Sequence, residues 1–115
     1  MKEGDIILTS LSQADGKIKL RPAILLRELP DVYADILVCG VSTQLHLAVE
    51  GFDEIIHSDD SNFHSSGLLG SSLIRLGYLA VRPRNTISGS IGAISQERYL
   101  RLLKKLCDCL CKRNL

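Results

Sequence analysis

Over roughly its first four-fifths the chain places apolar residues in short blocks separated by polar, turn-forming stretches. Ile6-Ile7-Leu8-Thr9, opened by Gly4-Asp5, reads as a first strand. The polar segment from Ser12 to Lys17 contains an Asp15-Gly16 step, a strong turn signal, and predicts a connecting loop. A second strand follows from about Ile18 to Leu29, and Pro30-Asp31 turns the chain. Ala34 to Val41 is a third block without alternation, so both its faces should be buried. Val49 to Ile56 is a weaker strand candidate, and the polar segment 57–67 predicts a long loop. Ser72 to Leu79 and Thr86 to Ile94 supply two more strands.

The second strand is interrupted. In Lys19-Leu20-Arg21-Pro22-Ala23-Ile24-Leu25-Leu26 a guanidinium and a proline stand at the head of an apolar run. Proline has no N–H for a ladder, so it predicts an edge strand, a strand start or a bulge. A charged residue embedded beside apolar neighbours needs a partner or a task, which makes Arg21 the first candidate for function.

At Ser95 the period changes from 2 to 3.6. Ser95 suits a helix N-cap, Glu97 complements the helix dipole, and Tyr99, Leu102, Leu103, Leu106 and Leu110 form an apolar stripe. The predicted helix ends near Cys111, with Lys112 and Arg113 favourable at its C-terminus. Five or six strands and then one helix predict a mainly β fold: a small, mostly antiparallel, curled sheet with a helix packed on it. The 115 residues suit a single domain over 1–115, with the sheet over about 4–94 and the helix over about 95–111.

Composition narrows this only slightly. With 45% hydrophobic and 23% charged residues the chain is of ordinary globular type. A net charge of +1 announces no bulk affinity for nucleic acid, so any basic surface has to be local. Lys17, Lys19 and Arg21 form one basic cluster and Arg82 with Arg84 another, while Glu50, Asp53, Glu54, Asp59 and Asp60 concentrate acid in the middle. The first residues carry no leader pattern, and no apolar run reaches the roughly 18 residues of a membrane span, so a cytoplasmic protein without membrane contact is expected. Cys107, Cys109 and Cys111 are spaced poorly for a zinc site and read as reduced, mostly buried thiols.

Four landmarks occur in order: the Gly4-Asp5-Ile6 opening, the Lys19 to Leu26 strand, Ser42-Thr43-Gln44 after the third strand, and Ile91-Gly92-Ala93-Ile94-Ser95-Gln96-Glu97 at the helix entry. Together they resemble the MazF/PemK-like toxins of bacterial type II toxin–antitoxin systems, from Gly4 to about Leu106. The resemblance implies an SH3-like, PemK-type barrel of five to seven strands with a C-terminal helix. It implies a homodimer, a cognate antitoxin protein, and sequence-specific cleavage of single-stranded messenger RNA without a metal or other cofactor. The family's catalytic arginine falls on Arg21. Its second catalytic position, commonly threonine, falls on Ser42, with Thr43 beside it, and either hydroxyl could face the phosphate. Many relatives carry an acid–glutamine pair where this chain has Leu76-Gly77, with Arg75 beside it.

The chemistry suits these residue types. Attack of a 2′-hydroxyl on the adjacent phosphorus builds negative charge on phosphoryl oxygens, which a fixed guanidinium stabilises through planar, paired hydrogen bonds. His46 has the pKa range of a general base, although an ordinary surface or strand histidine is the plainer reading; His57 and His64 read as solvated loop residues. Lys17, Lys19, Gln44, His46, Arg75, Arg82 and Arg84 are candidates for RNA contact. Aromatic residues make up only 4%, so base stacking is sparsely provided for. The competing reading is a non-catalytic member of the same fold that binds RNA or poisons DNA gyrase by protein contact; an SH3-like interaction module is a third.

Overall fold

In a computed structural model, which describes residues 1–12 and 14–112, the alternating segments pair into one curled antiparallel sheet. The strands are β1 (Asp5–Ser12), β2 (Ile18–Glu28), β3 (Ile36–Ser42) and β4 (Glu54–Ile56), followed by a single helical turn α1 (Phe63–Ser66), then β5 (Ser72–Arg82) and β6 (Gly89–Ala93). Helix α2 (Gln96–Cys111) closes the order. Across the sheet the strands run β4-β5-β3-β2-β1-β6, giving a half-barrel. The mainly β fold with a C-terminal helix is therefore as expected, and its details differ in instructive places.

Two predicted strands are shorter than their apolar content suggests. The Val49 N–H donates to the Asp53 carboxylate, while the Phe52 and Asp53 N–H groups donate back to the Val49 carbonyl. That local turn takes residues 49–53 out of the sheet and leaves β4 only three residues. The 3₁₀ turn Arg84–Thr86 likewise delays the last strand, which begins at Gly89 rather than Thr86, and another 3₁₀ turn spans Leu45–Leu47. The predicted loop 57–67 contains α1.

β1, β2 and β3 bury both faces. Ile6, Ile24, Leu26, Cys39 and Val41 point toward α2 and meet Leu102 and Leu106, together with Ile74 and Leu76 of β5. Ile7, Leu11, Ala23, Leu25, Ile36 and Val38 form a second core on the opposite face of these strands, with Tyr78, Ala80 and Ile87 packed against it. This answers to the unbroken apolar run of the third block. Burial pushes the Cys39 thiol up to about 12, so this cysteine is an inert core residue.

Pro22 lies neither on an edge strand nor in a bulge. β2 sits between β1 and β3, and its pairing with β1 passes through Leu8 opposite Pro22 without a register shift. Pairing with β3 begins one residue later, at Ala23 opposite Gly40. The proline thus stands where the β2–β3 ladder stops, and no bond to β3 is lost. The bulge in β2 comes later, at Leu26, where Leu25 pairs with Val38 and Arg27 with Leu37. The carbonyl of Leu26 accepts a 2.7 Å hydrogen bond from the Tyr99 hydroxyl on α2.

Helix α2 begins as its sequence predicts. The Ser95 hydroxyl accepts a bond from the Arg98 N–H at 3.1 Å. Tyr99, Leu102 and Leu106 are buried and Leu103 is half-buried, but Leu110 is 71% exposed. Leu106 is the last core residue on the helix, so its final turn and a half extends past the sheet. Cys107, Cys109 and Cys111 lie on that extension and are exposed, against the expectation of buried thiols. Arg113, and Gln13 in the first loop, lie outside the described residues.

An ionic clamp that the hydrophobic pattern does not announce fastens α2 to edge strand β4. The buried Glu54 carboxylate receives Arg98 at 2.9 Å, Arg101 at 2.7 and 2.8 Å, and Lys105 at 3.0 Å. Burial alone would raise its pKa, but hydrogen bonds from Arg101 and Lys105 more than offset that and hold it below the usual carboxylate value.

Two stability measurements check these contacts. Glu54→Gln leaves three cations around a neutral amide and should cost about 3 kcal/mol at neutral pH. Because the folded-state pKa is depressed, the stabilisation is present above the unfolded value of about 4.3 and is lost as pH falls through the folded value. Urea titrations of wild type and variant should therefore converge on acidification. Tyr99→Phe leaves the Leu26 carbonyl without its donor and should lower the unfolding free energy by about 1–2 kcal/mol at unchanged m-value.

Candidate active site

The end of the β2–β3 ladder opens a cleft of about 380 Å³. Arg21, Ser42, Thr43, Gln44, Arg75 and Tyr78 line it, with Leu11, Ser12, Ala14, Asp15, Gly40, Val41 and Leu47. Strand alternation explains why the polar groups meet. Arg21 lies on the same side of β2 as Ala23 and Leu25, and Ser42 on the same side of β3 as Ile36, Val38 and Gly40. Continuing the register beyond Ala23 opposite Gly40 sets Ser42 across from Arg21, where the two strands no longer bond. The space that backbone pairing would have closed is left to these two side chains.

On the other side, β3 pairs with β5 through a large irregularity. Cys39 lies opposite Leu79 and Gly40 opposite Arg75, so Leu76, Gly77 and Tyr78 are extra residues on β5. The Leu76 N–H is satisfied by the Asp53 carboxylate at 3.0 Å. In a regular strand residues 75 and 78 would face opposite ways; the bulge brings both to the cleft. The Arg75 guanidinium carbon lies 5.2 Å from the centroid of the Tyr78 ring, and the Tyr78 hydroxyl donates to the Ser12 carbonyl at the end of β1.

Arg21 is exposed, and Thr9 stands directly opposite it on β1, fully buried. The Ser42 oxygen accepts the Gln44 N–H at 3.0 Å, a local turn that fixes the hydroxyl at the end of β3. Thr43 is more exposed than Ser42 and belongs to the same cleft wall.

Of the residues singled out from sequence, Arg21, Ser42, Thr43, Gln44 and Arg75 come together in this cleft. Lys17 and Lys19 are exposed on the adjoining β1–β2 hairpin. His46 sits exposed on the Leu45–Leu47 turn and does not line the cleft, although Leu47 does. Arg82 and Arg84 lie at the far end of the sheet: Arg82 pairs with Ile36, whereas Ser42 pairs with Leu73. Six residues of strand separate those positions on β3, roughly 20 Å. Arg84 is in addition bound to Glu28 at 2.7 Å.

Sequence reading passed over Tyr78 and Asp15, which complete the cleft. The Gly77 inside a strand pattern was the available signal for the first, since an interior glycine marks a bulge that re-aims its neighbours. Asp15 was visible only as half of a turn dipeptide.

No protein-family model matches the chain, and no curated protein matches its sequence. Among solved structures, it is similar to the Mycobacterium tuberculosis toxin MazF-mt6, with 18% sequence identity and a TM-score of 0.66 over 96% of this chain and 99% of that one. At that identity the likeness concerns the fold: the chain has a MazF-like fold along almost its whole length.

Proposed function

We propose that this protein is the toxin of a type II toxin–antitoxin pair and cleaves single-stranded RNA as a metal-independent endoribonuclease. The observation that carries this reading is the meeting of Arg21, Arg75 and the Ser42 and Thr43 hydroxyls in one cleft of a MazF-like fold. Residues from three strands, 54 positions apart in sequence at the extreme (21 to 75), converge where the β2–β3 ladder ends.

The arrangement suits phosphodiester transesterification. The 2′-hydroxyl loses its proton and attacks the adjacent phosphorus; the bond from phosphorus to the 5′-oxygen breaks, and that oxygen takes up a proton. The products carry a 2′,3′-cyclic phosphate and a free 5′-hydroxyl. Charge grows on the non-bridging oxygens during attack, and Arg21 serves as its fixed counter-charge. A Ser42 or Thr43 hydroxyl donates a further hydrogen bond to the same phosphate. Arg75 and Gln44 hold flanking nucleotides, with Lys17 and Lys19 extending the phosphate track along the hairpin. His46, outside the cleft lining, reaches a substrate only where the strand leaves the cleft, so the proton acceptor is not assigned to it.

On this reading the partners are a cognate antitoxin, which occupies the same cationic surface, and a second copy of the chain. The reaction is tested with purified protein and single-stranded RNA in EDTA. Wild type should cleave, and Arg21→Ala should be slower by about 10²–10³-fold with an unchanged melting curve. Ser42→Ala and Thr43→Ala, measured separately, identify the hydroxyl that contributes: that variant loses kcat. Equal rates for wild type and Arg21→Ala, or none for wild type, would overturn the assignment in favour of a non-catalytic binder.

A further inference from the structure

We infer that Tyr78 is a positioning residue that fixes the Arg75 guanidinium for phosphodiester contact; the inference rests on the reading of the cleft given above. An arginine side chain has four rotatable torsions and samples many directions unless something holds its plane. Here the ring of Tyr78 lies 5.2 Å from the guanidinium carbon. A guanidinium held over a ring by its charge keeps a planar fork of N–H donors for an anionic oxygen, a geometry that a lysine could not reproduce.

The ring is itself held from two sides. A Cβ built on Gly40 would lie 3.2 Å from Tyr78 Cδ1 and 3.4 Å from Cγ, so the ring occupies space that any other residue on β3 would contest. Its hydroxyl donates to the Ser12 carbonyl, 66 residues away in sequence. Tyr78 thereby joins the three walls of the cleft: the end of β1, the glycine on β3 and the bulge of β5. Only the three extra residues on β5 place it on the same side as Arg75. The ring is a support for a cation rather than an open stacking platform, which is consistent with the scarcity of aromatic residues.

Phosphate binding tests this without relying on RNA cleavage. Inorganic phosphate is titrated into wild type, Tyr78→Phe, Tyr78→Leu and Gly40→Ala, with the Arg75 Nε–Hε resonance as the readout. Wild type and Tyr78→Phe should show the ring-shifted Arg75 signal and similar affinity. Tyr78→Leu should lose the ring shift and bind about threefold to tenfold more weakly. Gly40→Ala, which displaces the ring without removing it, should fall between them. RNA cleavage then supplies a double-mutant cycle: Tyr78→Leu should lower kcat/KM on the wild-type background and have little further effect on Arg75→Ala. Equal phosphate affinity in Tyr78→Leu, no response of Arg75 in wild type, or equal losses on both backgrounds would each overturn the positioning role. Absence of RNA cleavage with an intact phosphate response would overturn only the nuclease reading.

Discussion

The cleft exists because two neighbouring strands stop bonding before either of them ends. β2 and β3 pair from Glu28 opposite Ile36 up to Ala23 opposite Gly40, and beyond that point β2 continues with β1 alone while β3 continues with β5. Pro22 stands at the parting. With no N–H, it could not have extended the β2–β3 ladder by a donated bond, and its fixed φ keeps the strand extended as it leaves. The Arg21 and Ser42 side of the site follows from that separation, while the bulge on β5 brings Arg75 and Tyr78 to the other side. Arg21 is the next residue outward on β2, and Ser42 is two residues beyond Gly40 on β3. The same geometry would be closed by cross-strand pairing if the ladder ran on.

Such an opening needs a stiff surround, and the structure supplies it through side chains that satisfy the irregular backbone. The bulge at Leu26 has its carbonyl bound by Tyr99, and the bulge on β5 has the Leu76 N–H bound by Asp53. Each ties an interruption in the sheet to an element outside that strand pair. Glu54, the residue after Asp53, then fixes α2 through three cations. The segment 53–54, two acids in a row, holds the bulge of β5 on one side and the helix on the other. A buried carboxylate among cations is weak evidence of net stability in general, but its removal would leave Arg98 and Arg101 with only their longer contacts to Asp60 and Glu97, at 3.5 and 3.6 Å.

Much of the fold could be read from the residues, and the reason is that period and turn chemistry are local. The strands and the helix follow from short apolar blocks between turn residues such as Asp15-Gly16, from the change of period at Ser95 and from its cap. What was not legible depended on partners distant in sequence. Asp53 and Glu54 look like solvated charge until Leu76, Arg98, Arg101 and Lys105 are placed around them. Val49 to Phe52 has the composition of a strand and is drawn into a turn by one carboxylate. Leu110 fits the apolar stripe in periodicity, and the three helix cysteines were expected to be buried, yet the sheet does not extend beneath them. For the candidate site, Arg21 stood out because it breaks an apolar run, and the Ser42-Thr43-Gln44 segment through the family resemblance. Tyr78 did not, because in an unbulged strand it would point away from Arg75.

A net charge of +1 describes the whole chain, whereas electrostatic attraction depends on how charges are distributed over its surface. Most carboxylates in this chain are engaged away from the cleft. Glu54 faces α2; Glu28 binds Arg84; Glu3 binds Arg27; Asp108 binds Lys104. Asp31, Asp53 and Asp60 accept backbone N–H groups in turns. Within the cleft the acidic side chain is Asp15, at its rim on the hairpin, with one oxygen already accepting the Lys17 N–H. Arg21 and Arg75 line one concave surface with Asp15, bounded by low-dielectric core at Leu11 and Val41, where a field is less screened than on an open face. Overall near-neutrality and a locally cationic cleft are compatible because most of the acids belong to the scaffold, while two of the cleft's three charged side chains are guanidiniums.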